Sequence, residues 1–319
     1  MNTDSRVVVI GESLVDLVWR PGADEVSPAP GGSPANVATG LRRLGRPVTL
    51  VTCWGDDPPG ELVARSLTGT GLDVVRAPSA SARTTVALAY VDEESGSATY
   101  EFVPHWDPVE LPTADDGAAL IHTGSLATVV EPGAGRVLEL CERLHGRADC
   151  AVSADLNVRP AVQPDRAAYR AAVEQLATVT DVVKASDEDL RWLWPDRTPG
   201  HSARALLALG PQLVVLTRGA QGASAYIGAD TPEVSVAAPQ VQVVDTIGAG
   251  DAFQSALLDG LLMQSPGNGV SVKLPDTQEA LRTLLTRSVT AGALATTRPG
   301  AQPPDADELR AALEDLSGW

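Results

Sequence analysis

Short apolar runs recur along this chain, and stretches long enough for helices of about ten residues separate them. The runs at 7–10, 48–53, 120–122, 151–154, 181–184 and 213–217 are rich in Val, Leu, Ile and Ala. Between them, residues 34–44, 59–69, 131–145, 166–178, 187–194 and 202–209 predict helices. Two more, 277–296 and 305–316, follow a loop at 270–275. Strands that are apolar throughout, rather than at alternate positions, belong to a parallel sheet covered on both faces. The pattern predicts an α/β fold: a doubly wound, mostly parallel sheet flanked by helices.

Two stretches break the rhythm. Residues 12–30 read as extended and are punctuated by Pro and Gly, and 84–91 with 98–103 predict a hairpin across a turn at 92–97. Together they predict a small β flap, at about 12–30 and 84–103, within one domain spanning 1–319.

A chain of 319 residues can bury a large core without disulfides or metals. Its formal charge of −17 argues against nucleic acid as a partner, because phosphate backbones need a basic face. An anionic small molecule is still bindable where helix N-termini, a cation or a metal make the field locally positive. The three cysteines are widely spaced, with no C-x-x-C, and read as reduced thiols. The start lacks a leader-like segment, and no run approaches the roughly 18 apolar residues of a membrane span. A cytoplasmic protein is expected. The four histidines lack metal-ligand spacing, and neither a P-loop nor a G-x-G-x-x-G after the first strand is present.

The segment V-V-D-T-I-G-A-G-D-A-F-Q-S-A-L-L at 243–258 carries the most chemistry. Val234, Val236, Val241 and Val243 alternate ahead of it and predict a strand running into the turn. Phe253, Ala256, Leu257, Gly260 and Leu261 then share one helical face. Gly248, Ala249 and Gly250 therefore stand at a helix N-terminus, where successive amides can point at one anion. Helix capping alone explains an aspartate at 251 but not the Gly-x-Gly before it. A phosphate cradle alone would be weakened by that negative charge. A base that deprotonates a hydroxyl beside an anion hole accounts for both.

In G-G-S-P-A-N-V-A-T-G-L-R-R-L-G at 31–45, Ser33 reads as N-cap, Pro34 as the first helical residue and Gly45 as the stop. A well-punctuated helix needs neither Gly31-Gly32 nor Asn36. Those suit close backbone approach and an amide that grips hydroxyls. Asp16, in G-E-S-L-V-D, is by itself an unremarkable carboxylate. D-L-N-V-R at 155–159 ends a predicted parallel strand, where α/β folds place ligands, with Asn157 and Arg159 at alternate positions. In K-A-S-D-E-D-L at 184–190, Ser186 also reads as a helix cap. T-R-G-A-Q-G at 217–222 follows another strand.

These segments, in this order from Gly11 to about Pro303, resemble the ribokinase/PfkB carbohydrate kinases, with the fructokinase branch nearest. D-T-I-G-A-G-D resembles the second family signature and G-G-S-P-A-N the first. The resemblance implies that Asp251 is the general base and that Gly248, Ala249 and Gly250 form the anion hole. It implies that Asp16, Gly31, Gly32 and Asn36 hold a sugar and that Arg159 binds substrate or phosphate. Lys184, Thr217, Gly219 and Gly222 would serve ATP. Asp189 would place Mg²⁺, or Glu188 or Asp187 in its stead, with Ser186 and Asp189 standing in the family's N-x-x-E motif. Asp245 and the carbonyl of Ile247 would hold K⁺. The implied reaction moves the γ-phosphate of ATP to a primary hydroxyl of a monosaccharide, D-fructose first. Ribose, 2-keto-3-deoxygluconate or a nucleoside are alternatives, as is a catalytically idle sugar sensor. The flap would close the site and offer a face for a homodimer.

Overall fold

Most of the apolar runs become adjacent strands, because β-branched residues fit a pleated surface buried on both sides. The computed structural model describes residues 6–19, 22–91, 98–112, 117–229, 231–264 and 272–317. In chain order its elements are β1 (Arg6–Ile10), β2 (Leu14–Trp19), β3 (Val26–Gly31), α1 (Ser33–Arg43), β4 (Val48–Thr52) and α2 (Pro58–Thr68). There follow β5 (Asp73–Arg76), β6 (Thr85–Val91), β7 (Ala98–Val103), β8 (Ala118–Gly124), α3 (Gly133–Leu144), β9 (Ala151–Asp155) and α4 (Arg166–Ala177). Next come β10 (Val182–Ser186), α5 (Asp187–Leu193), α6 (Pro199–Leu207), β11 (Leu213–Thr217), β12 (Ala223–Tyr226) and β13 (Val234–Val236). The last three are α7 (Ala249–Met263), α8 (Gln278–Thr296) and α9 (Ala306–Ser317).

The large sheet has the order β13-β12-β11-β10-β9-β8-β1-β4-β5. It is parallel from β5 to β11, and β12 and β13 extend it antiparallel. One face carries Val7, Val9, Leu50, Leu120 and Val215 against α1 and α7, and the other carries Val8, Ile10, Val51, Ile121 and Val152 against α3. Alternate residues of each strand therefore enter opposite cores.

The two irregular stretches form a separate four-stranded sheet, in the order β3-β2-β6-β7. β2 pairs antiparallel with β3 and parallel with β6, and β6 pairs antiparallel with β7 from Val86↔Val103 to Val91↔Ala98. The expected turn at 92–97, and part of the loop at 270–275, lie outside the described residues.

One expected strand is cut short. Residues 237–243 are irregular despite their alternation, and Val243 is 59% exposed. Period-two patterning makes a strand only where a neighbour supplies ladder hydrogen bonds, and here β13 stops at Val236.

Candidate active site

In doubly wound sheets, ligands sit beyond the carboxyl ends of the strands, where the strand order reverses. Here β1 is followed outward by β4 and β5 on one side and by β8 on the other, so the crevice opens between β1 and β8. Glu12 follows β1 directly and is 1% exposed. Its Oε2 accepts the Ala127 N–H at 3.2 Å, from the segment after β8. Burial pushes its carboxyl up to about 7, against the pull of hydrogen bonds to its own amide, Ser125 and Ala127 and of the Arg159 charge.

The turn before α7 faces the same end. Gly248 is its N-cap with φ of 74°, a left-handed conformation, and a Cβ there would stand 2.6 Å from that of Ala301. Only glycine suits both demands. Ala249 donates its N–H to Thr246 O at 3.2 Å, which closes the turn. The next amides, of Gly250 and Asp251, belong to the first helical turn, whose N–H groups have no partner within the helix.

Asp251 is held by the other signature segment. Ser33 Oγ donates to its Oδ1 at 2.7 Å, and Asn36 Nδ2 donates to Oδ2 at 2.8 Å. Burial raises the pKa of this carboxyl and Asp155 adds to the rise, while Ser33, Asn36 and Lys184 favour the charged form. Ser33 is thus not the N-cap that the sequence suggests. Gly32 is, with φ of 113° and no side-chain cap, and Pro34 moves to the second helical position. The hydroxyl that would have capped α1 is used on Asp251 instead.

Asp16 projects from β2 beside β3, where Leu14 pairs with Gly31. A side chain at Gly31 would collide with Asp16 Oδ2, so the glycine leaves room for the carboxylate. Burial pushes Asp16 up to about 6, with Arg159 lowering it and Asp251 raising it. The two carboxylates and the guanidinium thus share one electrostatic neighbourhood. Gly32 packs its backbone against the Glu12 carbonyl.

Arg159 arrives by a route the sequence did not predict. β9 ends at Asp155, and Asn157 has φ of 37°, so strand alternation does not align the two residues. Instead the chain turns, and the Arg159 N–H donates to Tyr169 Oη at 3.1 Å while Nη1 donates to Val158 O at 3.1 Å.

Farther along the same sheet edge, Lys184 Nζ pairs with Asp155 Oδ2 at 2.6 Å. Ser186 and Asp189 form a capping box on α5: Ser186 Oγ accepts the Asp189 N–H at 3.0 Å, and Asp189 Oδ2 accepts the Ser186 N–H at 2.8 Å. Asp189 Oδ1 takes the Val158 N–H at 2.8 Å. Asp189, one of the residues expected to place Mg²⁺, is therefore a buried cap, whereas Glu188 is exposed. Thr217 lies in register with Ser186. Gly219 and Gly222, with φ of 52° and 91°, bracket the single turn that follows. Asp245 accepts the N–H groups of Ile247 at 3.0 Å and Gly300 at 2.8 Å, tying the α7 turn to the loop after α8. Val243, Val244 and Ile247 are 59%, 60% and 41% exposed beside it.

Comparison with known proteins decides the family. Residues 4–308 match the profile of the pfkB family carbohydrate kinases. The chain belongs to that family. It is 33% identical to a fructokinase of Klebsiella pneumoniae over 320 residues, covering 97% of this chain and 100% of the relative. Its fold superposes on a Xylella fastidiosa fructokinase with bound ATP at TM-score 0.85 and 27% identity, covering 98% and 99% of the two chains. A Vibrio cholerae fructokinase variant with fructose, ADP and potassium ion bound gives TM-score 0.78 and 28% identity, covering 99% of each. The protein is a sugar kinase with the ribokinase-like fold.

Sequence reading passed over several groups of this sugar kinase. Glu12, Asp155 and Ser33 all lie inside quoted segments. Charged residues at the carboxyl ends of apolar strands were the available signal for the first two. A further feature carried no signal: Gln254 Nε2, one turn after Asp251, donates to Ser153 Oγ at 3.2 Å, and Ser153 Oγ lies 3.3 Å from His122 Nδ1. All three are buried, and burial holds His122 down to about 3, hence neutral. This polar cluster fixes α7 to β8 and β9.

Proposed function

We propose that this sugar kinase transfers the γ-phosphate of ATP to a primary hydroxyl of D-fructose. The observation that carries the reading is Asp251 at the head of the Gly248 turn, held by Ser33 and Asn36 at 2.7 and 2.8 Å. A carboxylate there can take the proton of a hydroxyl while first-turn amides receive phosphoryl charge. Asp16, Gly31, Gly32 and Asn36 hold the sugar, and Arg159 meets substrate or phosphate. Lys184, Thr217, Gly219 and Gly222 line the nucleotide side, where the exposed Val243 and Val244 offer an apolar surface for a base. The likeness to fructokinases in sequence and structure supports fructose over other sugars.

Among the described residues, no group of three or more His, Cys, Asp or Glu could hold a metal alone. Mg²⁺ often takes one or two carboxylates and completes its shell with water and phosphate oxygens, so the exposed Glu188 fits it, with Asp189 behind as support. Mg²⁺ there would neutralise phosphate charge. Asp245 and the Ile247 carbonyl are the proposed K⁺ site; Asp245, with both oxygens already on backbone N–H groups, would have to share them.

The β2-β3-β6-β7 sheet acts as a lid on the one kinase domain, excluding water from the site. Exposed Trp19, Val26 and Val103 on that sheet suit a homodimer. No helix among the described residues is long and apolar enough to cross a membrane, and action in the cytoplasm completes the reading.

A coupled ADP-release assay across fructose, ribose, 2-keto-3-deoxygluconate and adenosine tests the substrate. Fructose is expected to give the highest kcat/KM, and activity on another member tenfold above fructose would sink that choice while leaving the kinase. Omitting K⁺ from a tetramethylammonium buffer should lower turnover; equal rates would count against the cation site.

A further inference from the structure

The Lys184–Asp155 pair is more buried than holding a sheet together requires. The two residues are in register on β10 and β9, and their side chains are 6% and 2% exposed. Removing both charges from water is costly, and apolar residues of similar volume often serve stability as well or better. Asp155 Oδ1 has no hydrogen-bond partner, so the pair is not a saturated structural network.

The position of the ammonium supplies a purpose. A Cβ added to Gly250 would lie 3.5 Å from Lys184 Nζ, so the cation stands against the turn whose amides face the phosphoryl group. The base responds to both partners: Asp155 raises the proton affinity of Asp251 and Lys184 lowers it.

We propose that Asp155 is a positioning residue that holds the Lys184 ammonium, charged and aimed, at the phosphoryl group crossing the Gly250 turn. The inference rests on reading that turn as the anion hole. An ammonium has three N–H donors, and the bond to Asp155 leaves two for ligand oxygens. The four-carbon stem of a lysine is otherwise free to wander. In the transfer, the sugar oxygen–phosphorus bond forms as the bond from phosphorus to the ADP oxygen breaks. The hydroxyl proton goes to Asp251. A fixed cation matters most when charge spreads over the equatorial oxygens of the moving group.

The double variant Lys184→Met with Asp155→Leu removes both charges, so no uncompensated ion is left inside. It should melt close to wild type or above, yet lose about 100-fold in kcat, the scale of deleting one preorganised charge donor. Its sugar KM should stay within about threefold, since only the transition state is affected. A folded double variant with near wild-type kcat would show the pair to be structural. Asp155→Glu keeps the ion pair but displaces the ammonium by one methylene. It should lose about 10- to 100-fold in kcat at unchanged sugar KM, and full kcat in this variant overturns the proposal whatever the double variant does. Asp251→Asn in the same assay separates the two levels. If Asp251→Asn retains activity, the reading of this turn as the catalytic centre fails with its base; if it loses activity while Asp155→Glu does not, the positioning role alone fails.

Discussion

Asn36 Nδ2 lies 2.8 Å from Asp251 Oδ2, across 215 residues of sequence. Taken separately, the first signature segment reads as a sugar grip and the second as a phosphate cradle. In the folded chain they meet on one carboxylate, and both Asn36 and Ser33 donate to it. In the proposed reaction an arriving hydroxyl must share or displace these donors to reach Asp251.

Asp251→Asn tests the base directly. An asparagine can keep both contacts, its oxygen facing Asn36 and its amide facing Ser33 Oγ, so melting should shift by no more than roughly 1 kcal/mol in stability. Loss of a general base should lower kcat by about 10²- to 10⁴-fold. A variant keeping more than about a third of wild-type kcat would make Asp251 a structural residue only.

Asn36→Ala removes a donor that favours the ionised form of Asp251. The pKa of the base, already raised by burial, should rise further. Since the base works ionised, the acid limb of kcat/KM should move to higher pH. An unmoved limb in the pH profile would detach Asn36 from the base and leave it a sugar contact alone.

Glu12 links stability to pH. Its folded pKa of about 7 stands above the unfolded 4.5, so the native state binds the extra proton. That contribution is complete below about 4.5 and is lost as pH rises through 7. Glu12→Gln lacks this loss and should gain stability over wild type between pH 5 and 8. The gain should be on the order of 3 kcal/mol. Denaturant melts across that range check it, and a pH-independent difference would refute the linkage.

Asp259 is a structural counterpart. It is 2% exposed and pairs with Arg46 Nε at 2.6 Å and with Arg287, joining α7 to α8 and to the loop after α1. Asp259→Leu would take the carboxylate from two buried or partly buried guanidinium groups and should cost about 3–5 kcal/mol. Turnover per folded molecule should be unaffected at low temperature. Equal melting of variant and wild type would show the charges already satisfied by water.

Period, propensity and turn chemistry are local, and they were legible: the parallel α/β sheet from its apolar runs, the hairpin of β6 and β7, and the glycine turn opening α7. What depends on segments meeting was not. Ser33 looked like a helix cap until α7 brought Asp251 to it, and nothing in the sequence showed that the Asp189 oxygens accept the Val158 and Ser186 N–H groups. The alternation at Val241 and Val243 promised a strand, but no neighbour was there to bond it. Lys184 and Asp155 became a pair only because β9 and β10 are adjacent. Hydrogen-bond partners and desolvation are properties of approach between distant segments, so only the tertiary structure decides which carboxylate meets side-chain donors, which caps a helix and which faces an ammonium.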